Sequence, residues 1–317
     1  MSMNSVTETH DGKSPGFLGI SMVLLAVLVI YPVIGTGLTV LMAGKFSLDP
    51  QSGGMDPGML FRLRTAQGLG QILALGLPVF WLALSQSGAV RPFDRLNRSW
   101  LGVSRFGRPG SLLTASLGIL LLQPLMYSIV ELQNLVIPFL GESGMAMLRD
   151  QARLDQFIRK ISASDSVPEF LMVVTVLVFI PAACEELFFR GYIQKSYSSV
   201  FSPKRAVLLT GFVFALFHME LVNIIPLTLL GWYIGYIYML TGDLSVPASA
   251  HATNNLAALL FLILEPRIDL LTSTVGGATI VAMWQWWVFV AFCLGAFFVL
   301  MLRFSKRVAS AKPDNIA

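Results

Sequence analysis

The clearest indication of the fold comes from residues 171–190, which read LMVVTVLVFIPAACEELFFR. The first half is apolar, as in a helix that crosses a bilayer, which needs about 20 mostly apolar residues. Glu185, Glu186 and Arg190 follow in the same segment. Ionisable groups are costly inside a membrane and mark a functional site by default. The stretch therefore predicts a transmembrane helix that carries a polar site.

The composition of the whole chain extends this prediction. Of its 317 residues, 55% are hydrophobic and 13% are charged, whereas soluble globular chains contain about 25% charged residues. Too few polar groups are present to cover a water-facing surface. The formal net charge of +4 is small, and no aromatic-basic cluster suggests a nucleic-acid partner. The expected fold class is all-α, a polytopic bundle of transmembrane helices in contact with the lipid bilayer.

Eight segments qualify as transmembrane helices, which predicts a bundle of about eight spans. They cover residues 17–42, 69–84, 112–140, 169–197, 206–219, 223–241, 246–264 and 280–304. Residues 44–66 are rich in Gly, Asp and Pro, which predicts a loop. Residues 141–167 mix charged and apolar side chains, which predicts an amphipathic or surface helix.

The expected domain organisation follows from these segments. It comprises a polar N-terminal tail (1–16), N-terminal spans and loops (17–167), a core that holds the polar clusters (168–265), and a last span with a basic tail (266–317). Lys and Arg are concentrated in the second-to-third loop, the fourth-to-fifth loop and the C-terminal tail, and such connections remain cytoplasmic. The prediction is a multi-pass protein of the cell membrane with both termini in the cytoplasm.

Three polar clusters lie within the predicted spans. They contain Glu185, Glu186 and Arg190; Phe214 and His218; and His251, Asn254 and Asn255. At 1.5 Å rise per residue, Glu185, His218 and His251 lie roughly 18, 20 and 12 Å from the predicted cytoplasmic ends of their helices. Because these depths are similar, we expect the clusters to meet in one site.

Helix geometry separates the two glutamates. Glu186 and Arg190 are four residues apart on one face, which predicts a structural ion pair. Glu185 points about 100° away and is left for chemistry. His251 and Asn255 are also four residues apart, so both can face one cavity, and Asn254 is a weaker candidate for it.

The residue types suit a hydrolytic reaction. The candidate catalytic set is Glu185, Glu186, His218, His251 and Asn255. Glu185 with His218 could take a proton from water, and His251 with Asn255 could donate hydrogen bonds to a developing oxyanion. The same Glu185, His218 and His251 could instead bind a divalent metal such as zinc, which would activate the water. Both alternatives remain open, and no other cofactor is expected.

The three clusters resemble the motifs of the CPBP family, which includes type II CAAX prenyl endopeptidases and Abi-type intramembrane proteases. The family patterns Glu-Glu-x-x-x-Arg, Phe-x-x-x-His and His-x-x-x-Asn occur here in order, within roughly residues 168–262. The resemblance implies an intramembrane endopeptidase in which Glu185 and His218 activate water and His251 and Asn255 support the oxyanion. It also implies a peptide or protein substrate, and prenylated proteins, leader peptides and membrane-protein tails all remain open as its class.

Two other functions fit parts of the sequence. A non-catalytic scaffold or immunity protein of the same fold would need no pair of carboxylates at this depth. A proton- or ion-coupled transporter could use Glu185 and His218 as a relay, but such transporters often contain inverted repeats, and the sequence shows none. Hydrolysis of a peptide bond near the membrane surface is therefore the preferred function.

Overall fold

The computed structural model describes residues 15–44, 56–103, 106–272 and 277–310, and these ranges contain helices and no β-strand. Seven of the described helices are long and apolar enough to cross a membrane. They are α1 (Phe17–Ala43), α2 (Pro57–Ser87), α4 (Pro109–Leu140), α6 (Val167–Ser198), α8 (Leu221–Thr241), α9 (Ser245–Thr272) and α11 (Trp284–Ser310). Four further helices connect them: α3 (Arg95–Leu101), α5 (Glu142–Ser162), α7 (Pro203–Phe217) and α10 (Gly277–Ala282). The predicted all-α polytopic bundle is confirmed.

Seven of the roughly eight expected spans correspond to the long helices of the described residues, and the remaining one, predicted at residues 206–219, corresponds to α7. This helix has 15 residues, fewer than the roughly 20 that a full crossing needs. It packs against α8, and the two backbones are in direct contact at Gly211 and Gly231. A Cβ added to Gly231 would lie 2.7 Å from the Cα of Gly211, which leaves no room for a larger residue. Small residues at such a crossing allow helices to approach closely in a membrane. The close crossing brings the C-terminal end of α7 into the bundle.

Helix α2 begins earlier than the sequence suggested. The predicted loop over residues 44–66 is wrong from Pro57 onwards, and residues 45–55 lie outside the described ranges. Asp56 is the N-cap, and its side chain accepts a hydrogen bond from the backbone N–H of Met59 at 2.9 Å. An aspartate N-cap followed by proline in the first turn is a typical helix start. Gly, Asp and Pro therefore marked a helix start within the predicted loop.

The predicted surface helix is α5, and α2 holds its C-terminal end. The Nε of Arg64, which is 2% exposed, donates to the carbonyl of Ile161 at 2.9 Å. Its Nη2 donates to the carbonyl of Ala163. The last carbonyls of a helix have no partner within the helix. A buried arginine therefore joins α5 to the bundle.

Helix α6 changes its winding around the two glutamates. The α-helical segment Ile180–Glu186 lies between the π-helical segments Thr175–Phe179 and Leu187–Gln194. Such turns are rare and occur frequently at functional sites. Glu185 and Glu186 therefore lie at a junction between two helix types, in the centre of the bundle.

Candidate active site

The most deeply buried part of the site is a network around Glu186. The Nη1 atom of Arg190 lies 3.0 Å from Oε1 of Glu186, and the Nδ1 atom of His251 lies 2.7 Å from the same oxygen. The Nη2 atom of Arg190 also donates to the carbonyl of Gly231 at 3.2 Å. The three side chains are at most 3% exposed. A buried ion pair persists only with such additional partners, because desolvation of its charges is costly.

An aromatic ring links this network to the second motif. The Phe214 ring has its centroid 4.7 Å from the guanidinium carbon of Arg190, which is within the range of a cation–π contact. The same ring lies 4.6 Å from the His218 ring and 5.7 Å from the His251 ring, between centroids. Phe214 is fully buried. The phenylalanine of the Phe-x-x-x-His pattern thus packs against both histidines and the arginine.

His218 is placed by the end of α7, where it forms the C-cap. The next residue, Met219, has φ 53°, in the left-handed region, which a non-glycine residue rarely adopts. Sparsely populated backbone conformations of this kind cluster at active sites. The chain therefore turns away directly after His218 and leaves its ring at the helix end, with a side chain that is 26% exposed.

Glu185 faces both histidines. Its Oε2 atom lies 3.8 Å from the Nε2 of His218 and 3.8 Å from the Nε2 of His251. This oxygen is buried and has no hydrogen-bond partner among the described residues. A separation of 3.8 Å exceeds a direct hydrogen bond, and at such distances a bridging water is the first arrangement to consider. One carboxylate oxygen and two ring nitrogens therefore border a single small space.

The other ring nitrogens determine what faces this space. The Nδ1 atom of His218 lies 2.8 Å from the carbonyl of Phe214. Because a carbonyl can only accept, Nδ1 carries the proton, and the Nε2 of a neutral His218 is an acceptor. The Nδ1 atom of His251 donates in the same way to Glu186. Both histidines are thus oriented by their Nδ1 atoms, with Nε2 directed towards Glu185.

The segment that carries these groups matches a known family. Residues 167–257 match the model of the type II CAAX prenyl endopeptidase Rce1-like family. This segment belongs to the CPBP family of CAAX proteases. The match covers less than a third of the 317 residues and includes the three motifs. Neither a curated protein nor a solved structure matches the chain.

The apolar helices describe a multi-pass membrane protein, and residues 167–257 within it, called the CAAX protease domain below, match the model of a protease family. The domain includes the buried network around Glu186 and the space beside Glu185. It begins at the first residue of α6 and ends within α9. Helices α1 to α5 lie before it in the chain, so any contact from them to the site adds something that the family motifs do not contain.

The spacing beside Glu185 is wider than that of a formed zinc site. At zinc–ligand distances of about 2.0–2.1 Å, tetrahedral ligand atoms lie roughly 3.3 Å apart, whereas Oε2 lies 3.8 Å from each Nε2. No group of three His, Cys, Asp or Glu side chains in the described ranges is arranged to hold a metal ion. The predicted metal set of Glu185, His218 and His251 thus stays a prediction, and no step below depends on it.

Asn255 is half-buried on α9 and belongs to a chain of amides. The Nε2 of Gln123 donates to Oδ1 of Asn254 at 2.9 Å, and Nδ2 of Asn254 donates to Oδ1 of Asn255 at 3.4 Å. Neither His251 nor Glu185 is hydrogen-bonded to Asn255 in the described part of the chain. In this series of hydrogen bonds the side-chain carbonyl of Asn255 is an acceptor, so its NH₂ group can donate to another group.

Sequence reasoning missed two residues that contact the site. The Nε2 atom of Gln71, on α2, lies 3.2 Å from Oε1 of Glu185 and 2.9 Å from the hydroxyl of Tyr31, on α1. Gln71 is 4% exposed. The sequence could have indicated Gln71, because it is an amide inside the predicted span 69–84. A search for ionisable groups alone does not find it.

Proposed function

We propose that this protein is an intramembrane endopeptidase in which Glu185 and His218 activate water to hydrolyse a peptide bond near the membrane surface. The observation that carries the proposal is the space beside Oε2 of Glu185, bordered by two Nε2 atoms at 3.8 Å. A water molecule donates two hydrogen bonds, and here the two acceptors are Oε2 of Glu185 and the Nε2 of a neutral His218. The CAAX protease domain supports a protease at the level of the family.

In the first step, Glu185 is the general base. A water in this space donates one hydrogen to Oε2 of Glu185 and the other to the Nε2 of His218, which directs its oxygen lone pairs away from both. Glu185 takes the first proton as the oxygen attacks the substrate carbonyl carbon. Positioned general bases of this kind contribute about 10²–10⁴-fold to a rate.

In the second step, His251 and Asn255 stabilise the charge on the tetrahedral intermediate. In the proposed cycle His251 is doubly protonated throughout: its Nδ1–H donates to Glu186, which is its counterion, and its Nε2–H donates to the oxyanion and takes no part in the proton transfer. The NH₂ group of Asn255 is a second donor. Hydrogen-bond donors aimed at a developing oxyanion are each worth about 10²–10³ in kcat.

In the last step, the intermediate collapses and the bond between carbon and nitrogen breaks. Glu185 returns the proton that it took from water to the departing nitrogen. The products are a carboxylic acid and an amine, with water consumed and no external acid required. The substrate is a peptide or protein chain that reaches the site from the membrane surface, and prenylated C-terminal CAAX segments and leader peptides are the two classes that we propose.

The test is cleavage by purified protein in detergent. Wild type is compared with Glu185→Ala and His218→Ala on a farnesylated CAAX reporter and a Gly-Gly leader peptide. Loss of cleavage in both variants, with folding retained in thermal melts, is the expected result. Cleavage that persists in both variants would contradict the assignment of Glu185 and His218 as the residues that activate water. If wild type cleaves neither substrate, the result favours a non-catalytic scaffold or immunity protein of the same fold.

The same preparation tests the metal prediction. Each form is assayed with and without a strong chelator, and then after addition of zinc. If Glu185 and His218 activate the water without a metal, the chelator should leave the rate of cleavage unchanged. Loss of cleavage that zinc restores would contradict a mechanism without a metal and would assign Glu185, His218 and His251 to the ion.

A further inference from the structure

The two oxygens of Glu185 have different surroundings. Oε1 accepts a hydrogen bond from Gln71 at 3.2 Å. Oε2 has no hydrogen-bond partner among the described residues and lies between the two histidine Nε2 atoms. A free carboxylate can rotate about its Cγ–Cδ bond. The hydrogen bond from Gln71 to one oxygen restrains this rotation and holds the other oxygen towards the histidines.

The amide of Gln71 uses both of its N–H groups. One donates to the hydroxyl of Tyr31 at 2.9 Å and the other to Glu185. If the amide were turned over, its carbonyl oxygen would face an ionised Glu185, and two acceptors would meet. In the observed orientation the carbonyl oxygen of Gln71 is buried without a partner among the described residues. The amide of Gln71 therefore keeps an N–H group on the carboxylate of Glu185, although its own carbonyl oxygen is then left without a partner among the described residues.

The backbone of α2 is held against α6 on both sides of Gln71. A Cβ added to Gly68 would lie 3.4 Å from Cδ1 of Ile180, and one added to Gly76 would lie 2.8 Å from Sγ of Cys184. Small residues let membrane helices approach this closely. Since Cys184 directly precedes Glu185, the two helices are in contact beside the carboxylate that Gln71 contacts.

Tyr31 supports the amide from the other side. It lies on α1, is half-buried, and its ring centroid is 5.7 Å from that of Phe217. Phe217 directly precedes His218 at the end of α7. The ring of Tyr31 therefore packs against the helix that carries the proposed water-activating histidine, and its hydroxyl restrains the amide of Gln71 through their hydrogen bond.

We propose that Gln71, held by Tyr31, is a positioning residue that directs Oε2 of Glu185 at the water-binding space. The inference rests on the proposed endopeptidase function, and it deepens that function by completing the site with two helices that precede the CAAX protease domain. Gln71 does not touch the reacting atoms. It acts through Glu185, so its loss lowers the rate of the chemical step and leaves substrate binding unchanged.

The experiment measures kcat and KM on a reporter that wild type cleaves. In Gln71→Met a side chain of similar length loses both hydrogen bonds, and we expect kcat to fall about tenfold with KM unchanged. Gln71→Glu places a second carboxylate against Glu185 and should lower kcat further. The matched control is Gln86→Met, since Gln86 also joins two spans, through a 2.8 Å bond to Ser196, away from the site. Its kcat should stay at the wild-type value.

Tyr31→Phe provides a second, milder variant that removes a single hydroxyl. We expect kcat to fall about threefold. In the Gln71→Met background the same change should have no further effect on kcat, because Tyr31 acts through Gln71. A merely structural role would instead lower thermal stability in both backgrounds and leave kcat per folded molecule unchanged.

The outcomes separate this inference from the function on which it rests. If Glu185→Ala is inactive while Gln71→Met and Tyr31→Phe match the Gln86→Met control in kcat, the positioning role is wrong and the endopeptidase stands. If Glu185→Ala still cleaves the reporter, the proposed function itself is wrong. A fall in kcat for Gln71→Met and Tyr31→Phe, with KM unchanged and with coupling between them, supports the positioning role.

Discussion

The two adjacent glutamates of α6 have contrasting surroundings. The inner half of the site, defined by Glu186 and Arg190, is at most 1% exposed, and each charge has a partner. The outer half, defined by Glu185 and His218, is partly open, and its acceptor atoms face one another without a donor between them. His251 joins the halves, with one ring nitrogen directed to each glutamate.

The contrast shows how one pair of identical residues can serve two purposes. Buried polar groups in folded proteins are nearly always hydrogen-bonded. The charges of the inner half are paired through Arg190, His251 and the carbonyl of Gly231, whereas Oε2 of Glu186 and Nε of Arg190 have no hydrogen-bond partner among the described residues. The outer half differs because its unpaired oxygen, Oε2 of Glu185, lies between two histidine Nε2 atoms. An unpaired oxygen that faces a small polar space is a place where water or substrate can bind. The inner half therefore stabilises and orients, and the outer half is left for chemistry.

The largest expected effect is a loss of activity without a loss of stability when Glu185 is substituted, which would distinguish it from the inner half. Glu185→Gln keeps the shape of the side chain and removes the base, so kcat should fall by about 10²–10⁴-fold. Its melting temperature should stay close to that of wild type, because Oε2 of Glu185 has no hydrogen-bond partner to lose among the described residues. Peptide cleavage and thermal unfolding in detergent measure the two quantities. Strong destabilisation by Glu185→Gln would remove the distinction between the halves.

The second prediction concerns the inner half. Arg190→Met should destabilise the fold by about 3–5 kcal/mol, because it leaves Glu186 charged and buried with His251 alone. The control is Arg153→Met, which breaks an exposed 3.1 Å pair with Asp150 and should change stability by less than about 1 kcal/mol. Denaturant unfolding in detergent compares the two. An Arg190→Met variant as stable as the control would contradict a structural role for the inner half.

The third prediction tests whether the close crossing of α7 and α8 holds His218 in place. A Cβ on Gly211 would lie 2.4 Å from the Trp232 ring and 2.8 Å from its backbone nitrogen. Gly211→Ala should therefore destabilise by about 1–3 kcal/mol and lower kcat by moving the end of α7. In the control Gly295→Ala the added Cβ meets nothing within 4 Å, and stability should be unchanged or slightly higher. Equal melting temperatures for the two variants would show that the crossing is not tight.

The smallest expected effect concerns the donor at Asn255. Gln123→Leu removes the bond to Asn254 and frees the amide chain to turn over, so kcat should fall about threefold. Gln133→Leu, on the same helix, is the control, since Gln133 lies outside this chain of amides. Cleavage rates at saturating substrate provide the measurement. A loss shared equally by both variants would indicate a general effect on α4.

Much of the site could be predicted because motif residues are local in sequence. The four-residue spacing of Glu186 and Arg190 places them on one helix face, and the spacing of Phe214 and His218 does the same for the second motif. The shared depth of three clusters then indicated one site. The contact between His251 and both glutamates could not be predicted in this way, since 65 residues separate His251 from Glu186.

The contribution of α1 and α2 was not predictable for a different reason. Gln71 and Tyr31 are uncharged, and a single amide or phenol inside an apolar span is often explained by helix packing. Glu185, to which Gln71 donates, is 114 residues from Gln71 in the chain, and Tyr31 reaches the site only through Gln71. The start of α2 was also misjudged, because Gly, Asp and Pro are typical both of loops and of helix N-termini.

The sequence alone determined that this is an all-α membrane protein with the motifs of an intramembrane protease. Apolar runs of sufficient length must form helices in a bilayer, where each backbone polar group needs an internal partner, and spacings within a helix determine which side chains share a face. Only the tertiary structure decided how the carboxylate of Glu185 is oriented, which ring nitrogens face it, and that α2 supplies the restraint. These depend on the crossing and rotation of helices far apart in the chain, which packing at positions such as Gly76 and Gly211 determines.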